Sequence, residues 1–133
     1  MRFTSENINE LKENEIFVFG SNTSGIHIEG AAEIALKRWG ARWGIGEGKQ
    51  GNTYTIPTVN GNVIASLNLS KIKKYIDKFI EYAKNDKPNI YYVTKIGCGL
   101  AGYKIEDIAP LFKKAKNIEN IYLSREFYDE NNF

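Results

Sequence analysis

The sequence has few of the residues that build covalent frameworks and metal sites. Among its 133 residues there are one cysteine, Cys98, and one histidine, His27. A lone cysteine excludes an internal disulfide framework, and one cysteine with one histidine cannot complete a zinc site of these ligands. The chain also has little net charge, because its 18 basic side chains are nearly balanced by 16 acidic ones. We therefore expect a protein without metal or cofactor, and a net charge of +2 gives no indication of a nucleic-acid partner.

Long apolar runs are missing as well. The longest, Ile16–Phe19 and Ile90–Val93, are far shorter than the roughly 20 residues needed to cross a bilayer. Charged residues occur at Arg2 and Glu6, before any apolar stretch typical of a secretory signal. These features predict a cytoplasmic protein with no membrane partner.

The composition that remains indicates one folded domain. Hydrophobic residues make up 42% of the chain and aromatic residues 13%, which is enough to bury a core at this length. A single domain is expected over residues 1–133, with a frayed tail at 128–133. Most of the positive excess lies between Lys71 and Lys87; we interpret it as a solvated helix face, with an interaction surface as the alternative.

Strand-like and helix-like segments alternate along the chain. Short apolar runs bounded by glycine or proline predict strands at 16–19, 53–56, 90–96 and 121–123. Helical spacing of apolar residues predicts helices at 30–39, at 70–84 with Ser70 as N-cap, and over 105–115, where Pro110 must lie near the first turn or kink the helix. Two strand–loop–helix units predict an α/β fold with a mixed or mostly parallel sheet.

A glycine-rich loop at residues 97–102 is the first candidate site. It reads GxGxxG between a predicted strand and a predicted helix, where loop and helix N–H groups can meet a phosphate. Too few residues follow Gly102 for a dinucleotide-binding Rossmann fold. A Walker loop is excluded because Gln50 follows Gly48-Lys49. We predict an anion-binding loop; the alternative is a tight turn.

A second loop, residues 20–29, is the other candidate site. The amide of Asn22 can donate to and accept from sugar hydroxyls, and its alternative role is that of turn former or helix cap. Glu29 precedes a predicted helix, where the helix dipole favours a carboxylate, so electrostatic capping is the alternative to catalysis. A further interpretation pairs Cys98 as nucleophile with His27, because a helix N-terminus lowers the pKa of a thiol; packing is the alternative.

Several segments, taken in their order along the chain, resemble those of a known family. Asn7–Leu11, the strand that ends at Phe19-Gly20-Ser21-Asn22, and Ile28–Ala32 resemble segments of the macro domains that bind ADP-ribose, and so does Ile96–Tyr103. Motifs at 19–22, 44–48, 56–58 and 96–103 are closer still to a macro-domain-like group from bacteria and phages. The resemblance covers residues 7–127. It implies a three-layer α/β/α macro-domain-like fold with a central mixed sheet.

The resemblance also implies a small-molecule ligand, an ADP-ribose-like nucleotide. Asn7 would stand at the adenine end, the 97–102 backbone would hold the diphosphate, and Asn22 and Tyr103 would flank the distal ribose. Glu29 would be the general base of an ADP-ribosyl hydrolase, with Asn22 orienting the substrate. The ligand-binding residues expected in this way are Asn7, Gly20, Ser21, Asn22, Gly25, His27, Gly97, Cys98, Gly99, Leu100, Ala101, Gly102 and Tyr103.

One segment departs from the family pattern. The family's glycine run is reduced to Gly25, with Ile26 and His27 in its place, so that the distal-ribose pocket would be narrowed or served by His27. Binding of ADP-ribose, or of a related NAD-derived or diphosphate nucleotide, is therefore the first hypothesis. Hydrolysis of an ADP-ribosyl linkage through Glu29 is the alternative. The phage members of the group that this chain resembles imply a role in nucleotide signalling or host defence.

Overall fold

The computed structural model describes residues 3–27 and 30–133. The strands are β1 (Phe3–Thr4), β2 (Glu15–Asn22), β3 (Gly48–Gln50), β4 (Thr53–Asn60), β5 (Ala65–Ser66), β6 (Ile90–Val93) and β7 (Ile121–Ser124). The helices are α1 (Gly30–Arg38), α2 (Leu69–Lys84), α3 (Ile105–Ile108) and α4 (Arg125–Glu130), and a 3₁₀ helix covers Ala109–Ala115. The α/β class predicted from the sequence is confirmed.

The strands form one mixed sheet in the order β1-β7-β6-β2-β4-β3, with β5 also on β4. All neighbours from β1 to β4 are parallel, whereas β3 and β5 run antiparallel to β4. The carboxyl ends of β2, β4 and β6 therefore lie at one edge of the sheet, which is where α/β proteins place ligands.

Apolar side chains leave the sheet on both faces. Along β2, Ile16 and Val18 belong to one hydrophobic cluster with α2, the 3₁₀ helix and α4. The intervening Phe17 and Phe19 belong to a second cluster, with Ala32 and Ala35 of α1. Since side chains alternate between the two faces of a strand, α1 packs on one face of the sheet and α2 on the other.

The predicted N-cap of α2 is wrong by two residues. The helix begins at Leu69, and the side chain of Asn68 accepts a hydrogen bond from the Lys71 N–H at 2.8 Å. Ser70 lies inside the first turn and donates to Asn68 Oδ1 at 2.9 Å. Asparagine and serine cap helices about equally well, so spacing alone did not separate the two.

The predicted end of β4 at Pro57 is also wrong, because the strand continues to Asn60. On one side of β4, β3 pairs with residues 53–55 and β5 with residues 59 and 60. Pro57 lies between these two pairings, where its missing N–H costs no ladder hydrogen bond on that side. The expectation for Pro110 is confirmed: α3 ends at Ile108, and the proline occupies the first turn of the 3₁₀ helix.

The predicted fraying of residues 128–133 is not what the structure shows. α4 extends to Glu130 and buries Phe127 completely. Asn131 Nδ2 donates to the Ala109 carbonyl at 2.7 Å, and the rings of Tyr128 and Phe133 meet edge to face with centroids 5.6 Å apart. The acidic residues of the tail lie outward on a short amphipathic helix, and this made the segment look unstructured in the sequence.

The lysines between Lys71 and Lys87 are exposed, as the solvated-face interpretation predicts. Two of them contact carboxylates: Lys73 pairs with Asp77 at 2.7 Å and Lys78 with Glu47 at 3.2 Å. In the part of the chain that the structure describes, no helix combines the length and apolarity that a membrane span requires.

Candidate functional site

A cleft of about 450 Å³ opens at the carboxyl ends of β2, β4 and β6. Its wall comes from four segments of the chain. The end of β2 and the following loop contribute residues 20–22 and 26, and the start of α1 contributes 30–32. The end of β4 and the next turn supply 58, 59 and 64, and the stretch after β6 supplies 94–97 and 99–101.

The cleft brings the two predicted loops together. Seven of the predicted site residues line it: Gly20, Ser21, Asn22, Gly97, Gly99, Leu100 and Ala101. Six others are outside its lining: Asn7, Gly25, His27, Cys98, Gly102 and Tyr103. Glu29, the predicted general base, lies outside the described residues.

The 97–102 loop is a compact turn closed by two backbone hydrogen bonds. The Gly102 N–H donates to the Gly99 carbonyl, and the Tyr103 N–H to the Gly97 carbonyl, both at 2.9 Å. Within the described residues no acceptor meets three consecutive N–H groups, those of Gly99, Leu100 and Ala101. The helix predicted over 105–115 begins at Ile105 as expected, after the loop has ended, but α3 has only four residues and a 3₁₀ helix continues to Ala115. Any anion at this loop is therefore held by loop N–H groups rather than by α3.

Two glycines of this loop have different roles. Gly97 has φ +76°, and a Cβ there would lie 2.9 Å from Ile108 Cδ1, so the backbone itself requires glycine. At Gly99 a Cβ would meet nothing within 4 Å, and the backbone is not left-handed. Gly99 therefore accepts a side chain without strain, and that side chain would stand at the edge of the cleft.

The β2 loop is held by its own side chains. Asn22 Nδ2 donates to the Ile26 carbonyl at 2.8 Å, and Asn22 Oδ1 accepts from the Ile26 N–H at 3.0 Å. This is the turn-forming role given above as the alternative for Asn22, although the residue also lines the cleft. Gly25 has φ +69°, and a Cβ there would lie 2.2 Å from Ile45 N, so Gly25 serves the packing of the loop against residues 44 and 45.

His27 is a buried support of the cleft wall, with 1% of its surface exposed. Its Nε2 lies 3.0 Å from the Arg42 carbonyl oxygen and 3.1 Å from that of Ile45. Its Nδ1 lies 2.8 Å from Ser21 Oγ. Burial lowers the pKa of His27 below its usual value, and the two carbonyls oppose that shift. Of the hydrogen-bond partners described for His27, Ser21 is the one that lines the cleft, where it lies half-buried in the wall.

Cys98 does not fit the nucleophile interpretation. It packs against the main hydrophobic cluster, and burial raises the pKa of its thiol, the opposite of the shift expected from a helix N-terminus. The hydrogen-bond partners of His27 are Ser21, Arg42 and Ile45, so the two residues do not form a pair.

The remaining predicted residues also lie away from the cleft wall. Tyr103 is anchored by its hydroxyl, which donates to the Leu67 carbonyl at 2.6 Å. Asn7 is exposed, and its carbonyl accepts a long hydrogen bond of 3.5 Å from Ser5. These positions leave neither residue in contact with the cleft.

The cleft wall carries one cation that the sequence analysis missed. Lys95 lines the cleft and pairs with Glu126, Nζ to Oε2 at 2.9 Å. This hydrogen bond and the charge of Glu126 raise the pKa of Lys95, and the same hydrogen bond is the largest influence lowering the pKa of Glu126. No carboxylate lines the cleft among the residues described. The sequence gives no signal for Lys95, because the residue falls inside the strand predicted over 90–96, whereas β6 ends at Val93.

The turn between β4 and β5 forms a third wall, also missed. The Gly61 N–H donates to Thr23 Oγ1 at 3.0 Å on one side, and Ser66 Oγ donates to the Ala101 carbonyl on the other. Ile64 has φ +50°, a strained value for a β-branched residue. The residue is 68% exposed and lines the cleft.

In the described ranges, no group of three or more histidine, cysteine or carboxylate side chains could hold a metal ion. Comparison of the chain with protein-family models, curated proteins and solved structures gives no match. The macro-domain resemblance therefore stands on the sequence motifs alone.

Proposed function

We propose that this chain binds ADP-ribose, or a related NAD-derived or diphosphate nucleotide, in the cleft at the carboxyl ends of β2, β4 and β6. The observation that carries the proposal is the run of three N–H groups, at residues 99–101, that lack an acceptor and border the cleft. Consecutive N–H groups of this kind bind phosphate oxygens in many proteins.

Size and charge support a nucleotide. A cleft of about 450 Å³ falls within the roughly 300–1,000 Å³ of small-molecule sites. Lys95 and the first turn of α1 both line the cleft, and both favour an anion. The exposed apolar side chains of Ile26, Ile64 and Leu100 line it too, and they would suit the faces of a base or sugar.

A three-layer macro-domain-like architecture is part of the same proposal. It is supported by helices on both faces of a mixed sheet and by a site between two loops that the resemblance also picks out. Hydrolysis through Glu29 and a role in phage or bacterial nucleotide signalling stay predictions, because no observed contact bears on either. Adenine recognition by Asn7 has no support from its exposed position.

The proposal is tested by placing a carboxylate beside the three N–H groups. Gly99→Glu is expected to weaken ADP-ribose binding about 100-fold or more, because like charges opposed at a binding site cost several kcal/mol. Isothermal titration calorimetry would measure ADP-ribose, with ADP, AMP and NAD as comparators. We expect micromolar affinity for ADP-ribose in the unmodified protein.

Gly99→Ala is the matched control. A Cβ at this position meets nothing within 4 Å, so the alanine variant should keep its affinity and both variants should keep the far-ultraviolet circular dichroism of the unmodified protein. Unchanged affinity in a folded Gly99→Glu variant would show that this loop does not bind the diphosphate. Absence of binding by all four nucleotides would end the proposal.

A further inference from the structure

We infer that the buried histidine fixes the hydrogen-bonding polarity of the cleft. Because Ser21 Oγ donates its proton to His27, it can act toward a ligand only as an acceptor, and it is specific for a ligand group that donates, such as a sugar hydroxyl. The inference rests on the proposed function and deepens it. It assigns Ser21 as a specificity residue and His27 as the positioning residue behind it.

The tautomer of His27 follows from its partners. Nε2 faces two backbone carbonyl oxygens, at 3.0 and 3.1 Å. A carbonyl oxygen only accepts, so Nε2 must carry the proton. In the neutral ring Nδ1 is then bare and accepts, and its partner at 2.8 Å is Ser21 Oγ. The hydroxyl proton of Ser21 is therefore directed toward His27.

The state of Ser21 follows in turn. Its hydroxyl has one proton, which it donates in the hydrogen bond to His27 Nδ1, so only oxygen lone pairs remain for other partners. Among the described residues no donor reaches Ser21 Oγ. The backbone of Ser21 is held as well, since its carbonyl accepts from Thr58 Oγ1 at 3.4 Å. The residue thus presents an acceptor in a fixed place on the cleft wall.

The cleft consequently has two unlike poles. The N–H groups of residues 99–101 donate, which suits phosphate, whereas Ser21 accepts, which repels a phosphate oxygen and suits a hydroxyl. A ligand that satisfies both poles carries an anionic group and, on another part of the same molecule, a hydrogen-bond donor. A nucleoside diphosphate bearing a second, hydroxylated sugar has this combination. Inorganic phosphate or a bare diphosphate would satisfy one pole only.

The tautomer is tested first and needs no ligand. Because the chain has a single histidine, a long-range ¹H–¹⁵N correlation spectrum at neutral pH contains one imidazole. We expect the Nε2–H tautomer, with a bare Nδ1 that shifts when Ser21→Ala removes its donor. A proton on Nδ1 would overturn the inference, whatever the protein binds.

Ligand polarity is tested with ADP-ribose analogues in which single hydroxyls of the terminal ribose are replaced by fluorine, which cannot donate. One replacement is expected to weaken binding about five- to tenfold in the unmodified protein, the effect of one neutral hydrogen bond. In Ser21→Ala the same replacement should have no effect. Ser24→Ala, a serine of the same loop that is absent from the cleft wall, should behave like the unmodified protein.

The two proposals fail in different ways. If ADP-ribose binds and no fluorine replacement weakens it, or if Ser21→Ala discriminates as the unmodified protein does, the specificity of Ser21 is wrong and the proposed function stands. If ADP-ribose does not bind at all, the proposed function falls, and the histidine spectrum still decides whether Ser21 is held as an acceptor.

Discussion

At the scale of single residues, the loop after β2 is organised from behind the cleft. The side chain of Asn22 hydrogen-bonds within the loop, and that of His27 hydrogen-bonds to the carbonyls of residues 42 and 45. Gly25 is required because a Cβ at this position would overlap the backbone of Ile45. Composition could mark these residues as unusual, since polar side chains and glycine cluster there. It could not separate residues that line the cleft from residues that hold the loop in place, because that difference depends on contacts with a segment about 20 residues away.

The buried imidazole gives the protein a pH-dependent stability. In the unfolded chain His27 takes up a proton near pH 6.5, whereas in the folded protein burial lowers its pKa. Below pH 6.5 the unfolded state binds more protons, so the free energy of unfolding should fall as the pH drops from 6.5 toward the folded pKa, and should be flat just above 6.5. Urea unfolding between about pH 7.5 and about pH 5 measures it.

Two checks isolate the histidine. The carboxyls of Glu15 and Glu126 have pKa values lowered below 4.5, so their contribution is lost only at more acidic pH. His27→Asn should be less stable overall, because it leaves buried carbonyls unpaired, but its stability should not vary over the same range. An equal slope in both proteins would assign the pH dependence to other groups.

At the scale of elements, periodicity predicted the existence of segments better than their ends. The stripe of Ile72, Ile76 and Phe79 predicts α2 correctly, because burial on one face sets its spacing. The end of β4 depends on β3 and β5, which pair only at residues 53–55 and 59–60, and the sequence carries no local signal of that gap. Boundaries fixed by distant partners were therefore the ones missed.

The start of α2 offers a direct test of that correction. Asn68→Ala removes the acceptor for the Lys71 N–H and should lower the free energy of unfolding by about 1 kcal/mol. Ser70→Ala removes only an exposed side-chain hydrogen bond to Asn68 and should cost a few tenths of a kcal/mol or less. Chemical denaturation of both variants measures the difference. A larger loss of unfolding free energy in Ser70→Ala than in Asn68→Ala would identify Ser70 as the N-cap.

At the scale of the whole molecule, the cleft is a product of topology. Parallel pairing of β2 with β4 and β6 brings together loops that lie about 75 residues apart, and the β4–β5 turn links them through Thr23 and Ala101. The glycine loops were predictable because ligand loops follow parallel strands. Lys95 and Ile64 were not, because nothing in their local sequence distinguishes them from ordinary strand and turn residues, and Thr58 was marked only as part of the 56–58 motif and not as a site residue.

A second cavity, of about 550 Å³, allows the binding site to be located without any substitution. It lies at the opposite edge of the sheet, where Lys84, Lys87 and Tyr122 are among its lining residues. If the nucleotide binds as proposed, amide hydrogen exchange should slow in residues 20–32, 58–64 and 94–101. It should not slow locally at 84–90 or 117–122 beyond the general stabilisation that binding produces, about 2.7 kcal/mol at a ligand concentration 100 times the Kd.

The contrast between the two cavities is what makes hydrogen exchange decisive. Lysines at the second cavity could attract a nucleotide through charge alone, but its described lining has no run of three consecutive N–H groups without an acceptor, because the Ile118 N–H donates to the Ala115 carbonyl at 3.1 Å. Charge attraction weakens as salt screens it, whereas hydrogen bonds in a partly closed cleft are screened less. Protection at residues 94–101 that persists in about 0.5 M salt would place the ligand in the cleft. Protection at 84–90 and 117–122 that salt removes would place it on the lysines instead.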